Sequence, residues 1–446
     1  MRIVLLCGGS GKRLWPLSNE IRSKVFLKLL KSDNGTRESM IGRICRQLDE
    51  VGLLPFTSII THSSQVEITR KHVGEYIPII SEPFKRGTFA AVALASCYLH
   101  EQMQVDPSET ICILPVDTFA DSAFFGMLHR FPDILSQSQA ELALLGTKPQ
   151  HPSNQFGYIV PERLMEKDDY ALVRQFVEKP NEQLAGLLIE QHALWNCGVF
   201  AFSLKYMLDH VAKKALPTQV DKWLACYEQL ATASFDQEVV EYSNHVAVMG
   251  YEGLWNDLGS WKAITGYFEN QVIGNGRISD DSTNTHMINE LPYPIEVIGV
   301  PDVIVAASLD GILIAAKDQA NLIKDKLNAV PQFPRYIENR WGTCRVLDFW
   351  TDEQGTEVMI KRVEMSQGMQ TSYHLHHTRK EIVTILSGEA EILLDHKLYR
   401  LQAGDVRQIP INVGHGIKAV TQLELIEVQL GMALKEDDCL RLLNNW

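Results

Sequence analysis

Apolar residues in the first 265 or so positions gather in short runs separated by longer mixed stretches. Met1–Cys7, Ser58–Thr61, Thr110–Leu114 and Leu142–Gly146 are such runs and read as buried strands. Thr88–Met103 instead reads as a helix, with Phe89, Val92, Ala93, Ser96 and Leu99 near one face. Alternating strands and helices predict a mostly parallel, Rossmann-like sheet covered on both faces. From about Asn275 to Val330 the texture changes. Short β-rich pieces appear at Glu296–Val300, Val303–Ala307 and Gly311–Ala315, and a helix is expected at Gln319–Leu327. After Val330-Pro-Gln-Phe-Pro334, the best boundary signal in the chain, the pattern becomes nearly all-β with turns every eight to twelve residues. That predicts a closed barrel or sandwich. No internal repeat or low-complexity tract interrupts these three textures.

Composition narrows the picture. A chain of 446 residues is too long for one ordinary core, so two or three domains are expected. No apolar stretch approaches a membrane span, and the N-terminal apolar run is needed as a strand rather than a leader. Eight cysteines are scattered without a CxxC pair, which predicts reduced thiols in a cytoplasmic protein. The net charge of −13 argues against a nucleic-acid binder, while leaving room for a local basic pocket.

The first strand runs directly into Gly8-Gly-Ser-Gly-Lys-Arg13-Leu-Trp-Pro16. Glycines let the backbone curl so that N–H groups point at anionic oxygens. Arg13 adds a planar, permanently charged fork, and Lys24 a second cation. This order points to a nucleoside triphosphate at the carboxyl end of a parallel strand, although a short Gly-rich turn by itself also fits a plain strand-to-helix connection. Leu114-Pro-Val-Asp117 ends a buried strand with a carboxylate, and Trp255-Asn-Asp-Leu-Gly-Ser-Trp261 supplies another at Asp257. Taken singly, each aspartate fits an ordinary strand end or turn. Together they meet the need of Mg²⁺ for one or two carboxylates, with phosphates and waters completing the shell. In Phe176-Val-Glu-Lys-Pro180 and Trp195-Asn-Cys-Gly198, Glu178 and Asn196 can bond sugar hydroxyls, and Lys179 can pair with a phosphate.

These segments closely resemble, in order, the motifs of sugar-phosphate nucleotidyltransferases, specifically mannose-1-phosphate guanylyltransferases. Their loop is written GGxGTRLWPLSR…PKQF; here Lys12 stands for Thr, Ser23 for Pro and Val25 for Gln. The resemblance implies catalytic roles for Arg13, Lys24, Asp117 and Asp257, the last two as Mg²⁺ ligands. It implies nucleotide contacts from Leu6, Gly8, Gly9, Gly11, Lys12, Arg13, Glu82, Arg86 and Thr88. It implies a sugar-1-phosphate pocket of Gly157, Glu178, Lys179, Asn196 and Gly198. Glu82-Pro-Phe-Lys-Arg-Gly-Thr88 departs from the family's EPxxRNT by Gly87 for Asn, which bears on base preference.

A second constellation lies in the all-β region. Gly368-x₅-His374-x-His376-x₄-Glu381-x₆-Gly388 is followed by Gly404-x₅-Pro410-x₄-His415. Alternation along a strand turns His374 and His376 to one face, where Glu381 and His415 can join them, while His377 faces outward. Three imidazoles and a carboxylate suit a divalent transition metal such as Zn, Mn, Co, Ni or Fe. Spacing, glycines and the later Pro…His resemble the two cupin motifs. Guanylyltransferase followed by cupin resembles the bifunctional mannose-6-phosphate isomerase/mannose-1-phosphate guanylyltransferases, written SLQxHxHRxEHWxVxxG at this point. Arg379, Glu381 and Gly388 match that pattern; His374 replaces its Gln, and Ile382-Val383 replace His-Trp. Arg379 would then stabilise an enediolate if the domain isomerises.

The expectation is therefore an α/β nucleotidyltransferase domain at 1–268, a small left-handed β-helix-like module at 269–332 and a cupin barrel at 333–446. The chain is expected to use GTP or another NTP with a hexose-1-phosphate, making GDP-mannose, as a cytoplasmic homodimer without nucleic-acid or membrane partners. Two alternatives stay open for the cupin: a mannose-6-phosphate isomerase, or a non-catalytic binding module.

Overall fold

A computed structural model describes the chain except for residues 10, 11, 33, 164–169, 328–333, 433, 435–437, 444 and 445. These exceptions take in Gly11 of the glycine loop and most of the proline-rich boundary at 330–334, so these two expectations fall outside the described residues. Contacts divide the chain into two units. One comprises Met1–Gly9, Lys24–Val66 and His72–Gly259; the other comprises Ser10–Ser23, Glu67–Lys71 and Ser260–Trp446. No helix among the described residues is long and apolar enough to cross a membrane.

The first unit is built on nine strands: β1 Arg2–Cys7, β2 Thr57–His62, β3 Ile79–Glu82, β4 Thr110–Pro115, β5 Leu142–Thr147, β6 Tyr158–Pro161, β7 Tyr170–Val177, β8 Leu194–Ser203 and β9 Val246–Tyr251. Their order is β3-β2-β1-β4-β8-β5-β9-β7-β6. β1 pairs in parallel with β2 on one side and β4 on the other, a switch point at whose carboxyl ends a ligand crevice is expected in such sheets. The sheet is more mixed than alternation alone implies. β8 runs antiparallel to both β4 and β5, and β7 antiparallel to both β9 and β6. Strands buried on both faces read as continuous apolar runs whichever way they point, so strand direction is not written in the pattern.

The helix Gly87–Glu101 is buried on more than the one predicted face; Ala90, Ala91, Leu94, Ala95 and Cys97 are also covered. Small apolar residues all round let it sit beneath the sheet on one side and the helices Leu204–Lys213, Val220–Cys226 and Phe235–Glu238 on the other.

In the second unit, short strands stack in parallel: Val272–Gly274, His286–Asn289 and Val303–Ser308 in one sheet, Gly276–Ile278 and Ile295–Val297 in another. Gly311–Ala316 closes the first sheet antiparallel. The expected helix at Gln319–Leu327 is a 3₁₀ turn, Ala320–Leu322, continuing into the α-helix Ile323–Leu327. The segment Ser10–Ser23 packs here through Arg22, whose guanidinium grips Glu290 bidentately at 2.8 and 3.0 Å. Its Nε lies 3.1 Å from Glu338, and its charge sits 4.7 Å above the Tyr336 ring. The C-terminal part is two antiparallel sheets of six and five strands, with Val383, Ile385, Ile392, Leu401 and Leu425 among the residues filling the space between them.

Candidate active site and metal pocket

β4 delivers Asp117 just past its carboxyl end, as expected. What brings Asp257 beside it is a small ribbon: Thr118–Ala120 pairs antiparallel with Trp255–Asp257, setting Asp257 opposite Thr118. Lys24 enters on the 3₁₀ turn Lys24–Phe26, anchored by the buried Val25 and Phe26. Its Nζ lies 2.7 Å from Asp117 Oδ2 and 3.7 Å from Asp257 Oδ1. Two carboxylates therefore converge on one half-buried point, and their hard oxygens suit Mg²⁺. Leu6 and Gly8 stand at the end of β1; Gly8 and Gly9 are exposed. Lys12 is half-buried and Arg13 exposed, in the segment that packs with the second unit.

Gly157, Glu178, Asn196 and Gly198 are brought together around the ends of β6, β7 and β8. A Cβ at Gly157 would lie 2.7 Å from Glu178 Oε2, so a side chain there would displace that carboxylate from its present position. Asn196 Oδ1 accepts from the Gly198 N–H at 3.0 Å, and its backbone N–H donates to the Gly157 carbonyl at 2.8 Å. Asn196 stays paired with Gly146, and the register between β8 and β5 then shifts before Val199, with Gly198 at φ +71°, so a bulge at Cys197 and Gly198 directly follows Asn196. Lys179 pairs with Glu178 and is exposed. Sequence reading missed Asp236, which accepts from Asn196 Nδ2 at 2.9 Å. Burial, reinforced by the Glu178 charge, pushes the Asp236 carboxyl up to about 6. Asp236 sits in no motif, and only the fold carries it to Asn196.

Glu82 is buried and accepts from the Tyr227 hydroxyl; burial, opposed by that bond, raises its carboxyl to about 6. Arg86 and Thr88 are bonded to the chain's own 228–235 stretch. Arg86 donates to the Glu228 carbonyl, and Thr88 Oγ1 accepts from the Phe235 N–H at 2.8 Å. Ala233 N–H donates to the Arg86 carbonyl, while its own carbonyl accepts from Phe89 N–H, both at 3.2 Å. Gly87, with φ +84°, lies so close that a Cβ would be 2.2 Å from Ala233 O. That contact is the physical reason for glycine at this position.

In the all-β region the strands β10 Tyr373–His376, β11 Arg379–Ser387, β12 His415–Ala419, β13 Leu423–Gly431 and β14 Cys439–Leu443 gather the second constellation. Glu381 Oε1 lies 3.2 Å from His376 Nε2, and Oε2 lies 3.2 Å from His415 Nε2. All three are buried and their ligand atoms fall within 4.8 Å of one another. The His374 ring is 4.4 Å from that of His415 and 4.9 Å from that of His376. Each imidazole turns Nδ1 to a backbone carbonyl: His374 to Ser372 at 2.7 Å, His376 to Asp438 at 3.3 Å, His415 to Val413 at 3.0 Å. With a carbonyl facing each Nδ1, each neutral imidazole would present Nε2 to a metal, so the donor set fits a transition ion. Burial, added to the neighbouring His415, lowers His374 to about 4; burial, added to the Arg379 charge, lowers His376 to about 4. Burial opposes ionisation of Glu381, but the His415 contact, His376 and Arg379 hold it well below the usual carboxylate range. Arg379 Nε donates to Glu381 Oε1 at 3.1 Å, and its Nη2 lies 3.1 Å from His376 Nε2. Gln429 donates to Glu381 Oε1 at 2.9 Å. His377 is exposed, with Nδ1 2.6 Å from Asn412 Oδ1.

Comparison with known proteins places these sites in context. Residues 2–271 match the family model described as nucleotidyl transferase, and residues 331–444 match mannose-6-phosphate isomerase C-terminal. The chain is 28% identical to the mannose-1-phosphate guanylyltransferase RfbM of Salmonella typhimurium, over 98% of this chain and 96% of that protein. It is 28% identical to the alginate biosynthesis protein AlgA of Pseudomonas aeruginosa, over 98% and 95% of the two chains. A crystal structure of a "mannose-1-phosphate geranyltransferase" from Thermus thermophilus superposes with a TM-score of 0.62 at 26% identity, covering 74% of this chain and 98% of that one.

Proposed function

Because the chain belongs to the nucleotidyl transferase family, we propose that it makes GDP-mannose and pyrophosphate from GTP and mannose-1-phosphate. The observation that carries this reading is the convergence of Asp117 and Asp257 on Lys24, beside the carboxyl ends of β1 and β4. Mg²⁺, when bound by these aspartates, would neutralise charge on the α-phosphate and on the departing pyrophosphate. A sugar-phosphate oxygen forms the new bond to the α-phosphorus as the bond to the β-phosphate oxygen breaks, and pyrophosphate leaves in line. Glu178 and Asn196 orient the sugar, and Lys179 holds its phosphate. Gly8, Gly9, Lys12 and Arg13 take the nucleotide phosphates, and Glu82 borders the base. No protein nucleophile is required, so catalysis rests on positioning and charge neutralisation. We assign residues 1–268 to this activity, 269–332 to the β-helix-like module and 333–446 to the cupin.

The test is pyrophosphate release from the purified chain with ATP, CTP, GTP and UTP, each against several hexose-1-phosphates. GTP with mannose-1-phosphate should give the highest kcat/KM; another pair winning, or no turnover, overturns the proposal. The buried His376–Glu381–His415 group favours a second reading for the cupin, interconversion of mannose-6-phosphate and fructose-6-phosphate. Arg379 would steady Glu381 while facing charge that develops on substrate. Absence of conversion by the intact chain supplied with Zn²⁺, Mn²⁺, Co²⁺ or Ni²⁺ would remove this second reading.

A further inference from the structure

The C-terminal strand β14 brings a thiol to the imidazoles. In its antiparallel pairing with β10, Cys439 stands directly opposite His376. Directly opposed residues project to the same face of a sheet, with Cβ atoms roughly 5 Å apart. Cys439 Sγ and the ligand nitrogens of His374 and His376 all lie within 4.8 Å of one another. Cys439 is a free cysteine and half-buried. His374 in turn stands where the pattern resembled by this segment has glutamine, an amide in place of an imidazole. Its Nδ1 is tied to the Ser372 carbonyl, so Nε2 is the nitrogen left to bind.

We propose that Cys439 is a ligand of the cupin metal, acting with His374 and His376, so that the pocket offers two overlapping triads that share His376. One triad is His376, Glu381 and His415; the other is His374, His376 and Cys439. The two triads share His376, and in this proposal one metal is held at a time. The thiol releases its proton to solvent on coordination. A thiolate beside two imidazoles makes the pocket softer than a His/carboxylate set alone, which favours Zn²⁺, Co²⁺ or Ni²⁺ over Mg²⁺ or Mn²⁺. This rests on the cupin reading for the presence of a metal and adds a ligand that none of the sequence motifs contains.

The experiment uses the full chain, stripped with chelator and titrated with Co²⁺. A thiolate-to-Co²⁺ charge-transfer band should grow in the near ultraviolet and saturate at one equivalent. Cys439→Ser should abolish the band and weaken Co²⁺ binding by about tenfold or more. His374→Gln should weaken binding while keeping the band. Should Cys439→Ser fail to fold, the wild-type chain still answers: alkylation of Cys439, mapped by mass spectrometry, should be slow with Co²⁺ or Zn²⁺ bound and fast after chelation. Co²⁺ bound without a charge-transfer band, or Cys439 alkylated equally fast with and without metal, overturns the thiolate ligand while leaving the cupin metal reading intact. Failure to bind Co²⁺ at all overturns both.

Discussion

Gly87 is the position at which the base-side segment departs from the motif it resembles, and the structure puts a cost on any side chain there. Gly87→Ala adds only a Cβ. That atom would lie 2.2 Å from Ala233 O, 2.9 Å from its carbonyl carbon and 3.0 Å from its nitrogen. All three are backbone atoms, so no side-chain rotation relieves the contact. Holding a non-glycine residue at φ +84° costs about 1–2 kcal/mol. Pushing the 228–235 stretch aside also strands the two bonds between Ala233 and the backbone of Arg86 and Phe89, at about 1 kcal/mol each. The sum is about 3–4 kcal/mol. Urea unfolding followed by tryptophan fluorescence should register it, because Trp223 lies fully buried on the adjoining helix Val220–Cys226. Gly87→Asn, which restores the resembled pattern, should cost somewhat less because asparagine tolerates this backbone region better, yet it meets the same backbone atoms. Both variants should raise the KM for the nucleotide, since Glu82 and Arg86 flank the disturbed contact. A Gly87→Ala protein within about 0.5 kcal/mol of wild type, the range of an inert surface change, would refute the reasoning.

Asp117→Asn and Asp257→Asn should each lower kcat by orders of magnitude at saturating Mg²⁺ while circular dichroism stays unchanged; wild-type turnover in either would remove the metal assignment. Arg13→Ala should chiefly raise the KM for GTP, and Lys179→Ala the KM for mannose-1-phosphate; the opposite split would mean the two phosphate subsites are exchanged. Arg22→Ala should destabilise the second unit by roughly 3–5 kcal/mol, measured by chemical denaturation, because it leaves Glu290 and Glu338 facing each other without their shared guanidinium. The raised Asp236 carboxyl implies a pH signature. The folded protein binds this proton more tightly than the unfolded chain does, so the group costs nothing below about pH 4. Its cost grows as pH rises towards about 6 and stays constant above. Asp236→Asn keeps the oxygen that accepts from Asn196, so it should match wild type near pH 4 and gain up to about 3 kcal/mol above pH 6. A gain independent of pH would exclude ionisation as the cause.

Much of the candidate site was legible because each group sits at a fixed offset from a strand end or glycine turn. Asp117 follows an apolar run that could only be a buried strand, and His374 and His376 alternate along a strand. Glu178 and Asn196 flank strand ends in the same way. Their types and local spacing carry the chemistry before any folding is considered. Strand direction was not legible, because β8 buries apolar side chains on both faces and would look alike run either way. Asp236 and Cys439 were invisible for another reason: neither lies in a motif, and each gains meaning only from a partner at least 40 residues away, Asn196 in one case and His376 in the other.

The amino-acid sequence by itself determined the order of α/β, β-helix-like and all-β regions, the two constellations, and the residue types able to bind phosphate, sugar and metal. These follow from hydrophobic periodicity and side-chain chemistry, which are properties of short stretches. Only the tertiary structure decided that the Thr118–Ala120 and Trp255–Asp257 ribbon sets two carboxylates against Lys24. It also decided that the 228–235 stretch presses on Gly87 so closely that no side chain fits, and that the last strand adds a thiol to the imidazoles. Each of these is a contact between segments far apart in the chain, and such contacts are chosen by the packing of the whole core rather than by the residues on either side of them.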